Sequence, residues 1–310
     1  MEWFNRMTIL SHQDFKEFAF ENEFGDTTFS LTYAWAERFN YCYRKFDGCI
    51  AVCGRGLDNN YGFYIIRKKD APIDEAGDYI LEFCLSRNII PVFEFIKENE
   101  IEIYRKFAEN RGLIPKFEYS DSLSDYIYNS SDYISLTGNI NKTKRGNVNK
   151  LMRNYPYLKY VTPYDDTVRA IMPAFRKWCE SRCCADCHYG CEFRAFSRFL
   201  KLYGGSEYIV RLAVSGGEIL SFFAGEITSP QTICCYFQKN IGMIRGLTYW
   251  LSRCVMEEFS YIKYLNLGED MGIKGIIDDK MSLHPYRKAK KYTMVVRSGF
   301  LGQIQIVSEK

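Results

Sequence analysis

No run of eighteen apolar residues occurs anywhere in the sequence, and the start, Met1-Glu2-Trp3-Phe4-Asn5-Arg6-Met7, has neither the basic opening nor the apolar stretch of a secretory leader. A membrane span is therefore not expected, and the cytoplasm is the expected location. There is no Gly-x-Ser-x-Gly elbow, no Walker A loop and no Gly-x-Gly-x-x-Gly turn, which sets aside hydrolases of the nucleophile-elbow type, P-loop NTPases and dinucleotide-binding folds. Histidine is scarce, at three residues. Charge of one sign is not in excess either: a net +3 is too small for a whole-protein field that holds polyanions, so any such site must be local.

What is present indicates two packed domains. A chain of 310 residues exceeds the usual size of a single core, and 47% apolar with 16% aromatic content is far from a disordered composition. The 12 cysteines sit in a large chain that can fold without staples, so reduced thiols are expected. Cys49, Cys53, Cys84, Cys234, Cys235 and Cys254 lie in apolar runs and read as core residues. Cys179, Cys183, Cys184, Cys187, His188 and Cys191 form a denser group with one Cys-x-x-Cys, which reads either as a zinc site or as helical four-residue spacing; no second such pair occurs, and no metal is assigned.

Hydrophobic periodicity and turn residues predict an α/β chain built as mixed sheets. In the first half a helix over residues 12–21 with Ser11 as N-cap precedes strands at 41–46, 49–53 and 61–67, a helix at 75–87 and a strand at 89–95. In the second half, helices at 165–179 and 192–203 precede a hairpin, 208–214 and 219–227, turned by Gly216-Gly217. A strand at 232–238 follows, then a helix whose stripe is Leu247, Trp250, Leu251, Cys254, Val255 and Phe259, and a strand at 262–267. A short helix at 274–281 and closing strands at 292–297 and 301–307 complete the second domain. The halves share element order, which reads as a duplication, and residues 120–144, rich in Ser, Asp, Asn, Gly and Thr, read as the boundary.

The two strand ends flanking the Leu247 helix are the expected site, because ligands collect beyond the carboxyl ends of parallel strands. One loop carries Lys239, Asn240, Arg245 and Gly246 before a helix start, suited to a phosphate or equally to an ordinary strand-to-helix turn. The other carries Glu269 and Asp270, either a general base or residues that cap the next helix and pair with Lys274 or Lys280. Lys142, Lys144, Arg145, Lys150 and Arg153 form one basic run. Arg287, Lys288, Lys290 and Lys291, interleaved with Tyr286 and Tyr292, form another; each reads as a nucleic-acid contact or as a solvated face.

The stretch from Asn266 through Gly268-Glu269-Asp270-Met271-Gly272 to Lys280-Met281-Ser282 and His284-Pro285 resembles the signature of the DUF2156 family, which includes the C-terminal domain of phosphatidylglycerol lysyltransferases. Weaker resemblance extends to Gly138, Lys144, Arg145 and Asn149, and into the first half through residues 29–43 and 131–133. The resemblance implies two tandem GNAT-like (acyl-CoA N-acyltransferase) domains, expected at 1–135, with a structural role, and at 136–310, carrying the active site. It implies acyl transfer, with an aminoacyl group passing from aminoacyl-tRNA to a small-molecule or peptide amine or hydroxyl. Glu269 or Asp270 would be the base, Lys280 and Ser282 would orient the site, and Lys239, Asn240, Arg245 and Gly246 would hold the donor. Asn266, Gly272, His284 and Lys288 would face the substrate. An acyl-CoA donor, and a ligand-binding protein without turnover, are the competing expectations.

Overall fold

In the computed structural model, which describes residues 3–18, 24–56, 60–164, 167–181 and 191–297, the chain forms two units around two seven-stranded mixed sheets. The first unit comprises residues 1–124 and 289–310, and the second residues 125–288.

The first unit runs β1 (Asn5–Arg6), α1 (His12–Phe15), α2 (Phe29–Phe39), β2 (Cys42–Phe46), β3 (Cys49–Arg55), β4 (Tyr61–Arg67), α3 (Asp74–Arg87), β5 (Val92–Lys97), α4 (Ile101–Glu109) and β6 (Ile114–Tyr119). Strands β2, β3 and β4 form an antiparallel meander, and β4 then pairs in parallel with β5 across the α3 crossover, as the β-α-β order requires. Its core gathers Ala51, Phe63, Ile80, Phe93 and Phe107. Ser11 stands at the N-cap of the first helix, but its side chain makes no cap hydrogen bond there. Thr8 caps the preceding turn, its backbone N–H donating to the Ser11 hydroxyl at 3.0 Å, and α1 gives way to a 3-10 turn at Lys16–Phe18; residues 19–21 of the expected helix lie outside the described residues.

The second unit runs β7 (Asp125–Asn129), α5 (Ser130–Ser135), α6 (Lys142–Asn154), β8 (Lys159–Val161), α7 (Ile171–Ser181), α8 (Glu192–Phe199), β9 (Tyr208–Ser215), β10 (Glu218–Ser229), β11 (Thr232–Asn240), α9 (Leu247–Glu258), β12 (Tyr264–Asn266), α10 (Lys274–Met281) and β13 (Arg287–Ala289). The sheet order is β13-β7-β12-β11-β10-β9-β8. Gly216 and Gly217 both hold positive φ in the β9–β10 turn, where a side chain would be strained. Leu247, Leu251 and Val255, each at 0% exposure, seat α9 on this sheet.

Residues 120–144 hold the start of the second unit, at Asp125, in ordered elements: β7 supplies the fully buried Tyr126, Ile127 and Tyr128 to the second sheet, and α5 and α6 follow directly. One expectation is corrected. The strand at the end of the described chain, β14 (Lys291–Arg297), does not complete the second domain. It pairs with both β5 and β6 in the first sheet, burying Met294 and Val296 there. The second unit therefore begins at Asp125 rather than 136, and the first regains the chain at Ala289. The further strand expected at 301–307 lies outside the described residues. So do Cys183, Cys184, Cys187 and His188, while none of the described cysteines, Cys179 and Cys191 among them, forms a disulfide.

Candidate active site

Strands β11 and β12 pair in parallel only through Thr232↔Tyr264, Ile233↔Leu265 and Cys234↔Asn266. Beyond that point β11 continues to Asn240, whereas the other chain turns away and stays with β7, Leu267 N–H donating to the Tyr126 carbonyl and Tyr126 N–H to the Gly268 carbonyl, each at 3.0 Å. The parting strands leave a cleft of about 1160 Å³ within the second unit. Its walls are the end of β11, the start of α9, one face of α6, and the segment from Leu267 through α10 to His284.

The turn away from β11 is held by a small polar core. Asn266, 1% exposed, donates to the Asp125 carboxylate at 2.9 Å and accepts from Gly268 N–H at 2.7 Å, and Gly268 adopts φ +71°. Lys280 reaches back from α10 and donates to three successive carbonyls, Leu267 at 2.7 Å, Gly268 at 2.9 Å and Glu269 at 2.6 Å. Burial pushes this ammonium down to about 8, opposed by the nearby charges of Asp125, Glu269 and Asp270. Tyr128 fixes α10 in turn, its hydroxyl donating to the Lys280 carbonyl at 2.9 Å.

The two adjacent carboxylates go to different places. Asp270 is 1% exposed and fully engaged: it accepts from the Tyr126 hydroxyl at 2.7 Å and from Gly272 N–H at 2.7 Å, and it lies 3.6 Å from the Lys288 ammonium. Burial first, then the Asp270 bond, pushes the Tyr126 phenol above its usual value, so it remains a donor. Glu269 instead lines the cleft, half-buried. Gly272 and Lys288, expected at the substrate, thus serve Asp270, with Lys288 also lying 4.3 Å over the Tyr126 ring.

On the opposite wall, Asn240 spans the loop it begins: its amide donates to the Ile244 carbonyl at 2.8 Å and its carbonyl accepts from Ile244 N–H at 3.0 Å. That loop carries Arg245, exposed, on the cleft and without a hydrogen bond or ion pair to any described residue. Gly246 caps α9 at φ +87°, with the Asn147 backbone of α6 3.2 Å from where a Cβ would stand. Close approach of α6 thus requires glycine, and it brings Lys144 and Asn147 to the cleft beside the α9 start. Lys239 is already paired, 2.8 Å from Glu192 and 4.8 Å over the Trp178 ring. Ser282 and His284 line the opposite rim, with the Ser282 hydroxyl bound to the Asp279 carbonyl at 2.6 Å. Cys235 also lines the cleft, but burial pushes its thiol up to about 12, so it is no nucleophile at neutral pH.

The two basic runs part company. Lys142–Asn154 is helix α6, where Arg145 is spent on the Leu136 and Gly138 carbonyls, while Lys142, Lys150 and Arg153 are exposed. The later run is divided: Lys288 holds Asp270, Lys290 pairs with Glu98 at 3.0 Å, and Lys291, 5% exposed, pairs with Asp26. It makes no single basic face, because strand pairing of β14 carries Lys290 and Lys291 into the first unit. Sequence reasoning did not find Glu192, Asn147, Tyr133 or Asp279 in the cleft. Only the close α6–α9 approach, for which Gly246 is the one local signal, could have pointed to Asn147.

The family model for the C-terminal domain of phosphatidylglycerol lysyltransferase matches residues 18–295. The chain belongs to this family. Its two seven-stranded mixed sheets are a fold it shares with solved structures. A solved structure of a conserved protein of unknown function from Bacteroides thetaiotaomicron VPI-5482 superposes with TM-score 0.84 at 18% identity, over 96% of this chain and 100% of that one. L-PGS from Bacillus licheniformis superposes with TM-score 0.68 at 12% identity, over 100% and 98% of the two chains. No curated protein matches. Among the described residues of this family member, no helix is long and apolar enough to cross a membrane.

Proposed function

We propose that this family member is an acyltransferase that moves an aminoacyl group from an aminoacyl-tRNA ester to an amine or hydroxyl acceptor. The observation that carries the reading is one cleft, at the parting of β11 and β12, with the Arg245 guanidinium, which no described residue pairs, beside a helix start on one wall and the half-buried, acidic Glu269 on the other. Glu269 is the better base of its pair, because Asp270 is enclosed by a hydroxyl, an amide and an ammonium and lies off the cleft. Arg245 and the first amides of α9 suit a donor phosphate. Lys280 holds the Glu269 backbone rather than touching substrate, so its part is positioning. The exposed Lys142, Lys150 and Arg153 of α6, next to the cleft wall, favour a polynucleotide over a single coenzyme.

A second reading, an acyl-CoA donor, draws on the same Arg245 and Gly246 helix start, which suits a pyrophosphate as well. A single-turnover transfer assay with lysyl-tRNA and a soluble amine tests the first. Glu269→Gln should lower the rate by about 10²- to 10⁴-fold with the fold intact, while Asp270→Asn should chiefly lower stability. Full activity in Glu269→Gln would remove it as the base. Binding of tRNA should also weaken steeply with salt, and a flat response would favour the coenzyme.

A further inference from the structure

Just beyond its last residue paired with β12, strand β11 carries an extra residue. Ala224 of β10 stands opposite Phe237 and Gly225 opposite Cys235, so Tyr236 bulges from the ladder. Gly225 makes this possible, because a Cβ there would lie 2.1 Å from the Cys234 carbonyl oxygen. The bulge restarts the alternation of faces. Ile233 and Cys235 share a core with Leu247 and Leu251 of α9, and strict alternation would send Phe237 and Lys239 to that face. Instead Phe237 packs on α8, 5.3 Å from Phe196 and 5.6 Å from Phe199 between ring centroids, and Gln238 is turned to α9 and the cleft.

The Gln238 amide is held in one orientation. Its nitrogen donates to the Thr248 carbonyl at 3.0 Å and to the Ser252 hydroxyl at 2.7 Å. A backbone carbonyl can only accept, so the nitrogen, not the oxygen, must face α9. Both N–H groups are thereby used, and Ser252 is fully buried, so water does not compete for that bond. The side-chain oxygen, Oε1, accepts from no described residue and belongs to a half-buried side chain on the cleft. It can bind a hydrogen-bond donor and nothing else.

Its place on the wall decides which donor. Gln238 lies two residues before Asn240, whose loop carries Arg245, so it adjoins the wall suited to the nucleotide end of an aminoacyl ester, across from Glu269. Beside the acyl carbon of such an ester the group with N–H bonds is the α-amino group, and the Glu269 and Asp279 carboxylates on the same cleft favour it when charged. We propose that Gln238 is a specificity-determining residue whose Oε1 accepts from the α-amino group of the aminoacyl donor. This rests on the proposed transfer from aminoacyl-tRNA. A fixed acceptor discriminates strongly, because a substrate without the amino group leaves the oxygen unpaired in the closed site.

Single-turnover transfer to one soluble amine tests this by comparing lysyl-tRNA with 6-aminohexanoyl-tRNA, which lacks only the α-amino group. The parent should prefer lysyl-tRNA, and in Gln238→Met the ratio of the two rates should fall at least tenfold. The intrinsic reactivity of the two esters is common to both proteins and cancels from that change, and damage to the fold would slow both donors alike. Gln238→Glu, which keeps an acceptor oxygen, should retain more of the ratio than Gln238→Met. Independently of turnover and of any variant, titration calorimetry should show the parent binding L-lysine methyl ester at least tenfold more tightly than methyl 6-aminohexanoate. An unchanged ratio in Gln238→Met overturns the proposal while the transfer reading stands, and would mean that the oxygen meets a ribose hydroxyl common to both donors. Equal affinity for the two methyl esters overturns it as well. No transfer by the parent from lysyl-tRNA to any amine would remove the transfer reading, and the proposal with it.

Discussion

At Lys280 two opposing effects meet. Burial disfavours the ammonium and pushes it down to about 8, yet three carbonyls accept from it within 2.9 Å. Lys280→Met would relieve the first and forfeit the second. The Gly268 carbonyl keeps Tyr126 N–H, so the loss falls on Leu267 and Glu269. Two carbonyls deprived of a charged donor outweigh the relief, and urea denaturation should show a loss of about 1–3 kcal/mol; equal or greater stability would mean desolvation dominates. The place of Glu269-Asp270 directly after an apolar strand, and for Lys280 the family resemblance, marked these residues as belonging to a site. Neither signal could say that the lysine would reach back to backbone, or which carboxylate would face in, because neighbours in an irregular turn have no fixed alternation of faces.

Elements with strong periodicity were legible. The helix at Lys274–Met281 and the apolar stripe of α9 stand where their spacing put them, and the β9–β10 hairpin follows its Gly-Gly turn. β7 was not, because Asp125–Asn129 is short and buried on both faces, so no alternation shows. Nor was α6: only Val148 and Leu151 are buried among thirteen mostly polar residues. One tie between elements carries a pH dependence. Arg211 on β9 and Tyr160 on β8 both donate to Glu258, the last residue of α9. The Arg211 bond, more than the Tyr160 bond, holds the Glu258 carboxyl below its ordinary 4.5. A carboxyl depressed in the folded state stabilises above its unfolded value, and that stability is lost as pH falls below 4.5 through the folded value. Denaturation midpoints of the parent chain should fall across that window more steeply than those of Glu258→Gln; parallel curves would mean the tie contributes nothing there.

At the scale of the whole chain, the departure from a simple duplication is the return of β14 to the first sheet. A reading along the sequence assigns each strand to the domain being built, and nothing in the residues 292–297 marks them as going back. The pairing supplies the reason: β5 and β6 each need a partner, and β14 lies between them with registered antiparallel pairs on both sides, from Lys291↔Lys97 to Val295↔Val92 and from Tyr292↔Tyr119 to Arg297↔Ile114. Removing it opens two edges at once and strips the first core of Met294 and Val296. A chain cut after residue 288 should therefore lose amide protection in β5 and β6, with exchange there faster by orders of magnitude, while β9, β10 and β11 keep theirs. Exposed neighbouring edges should also make that fragment self-associate. If instead protection fell equally in both sheets, the two units would fold as one cooperative body, and the second could not be credited with a core sufficient to hold the cleft by itself.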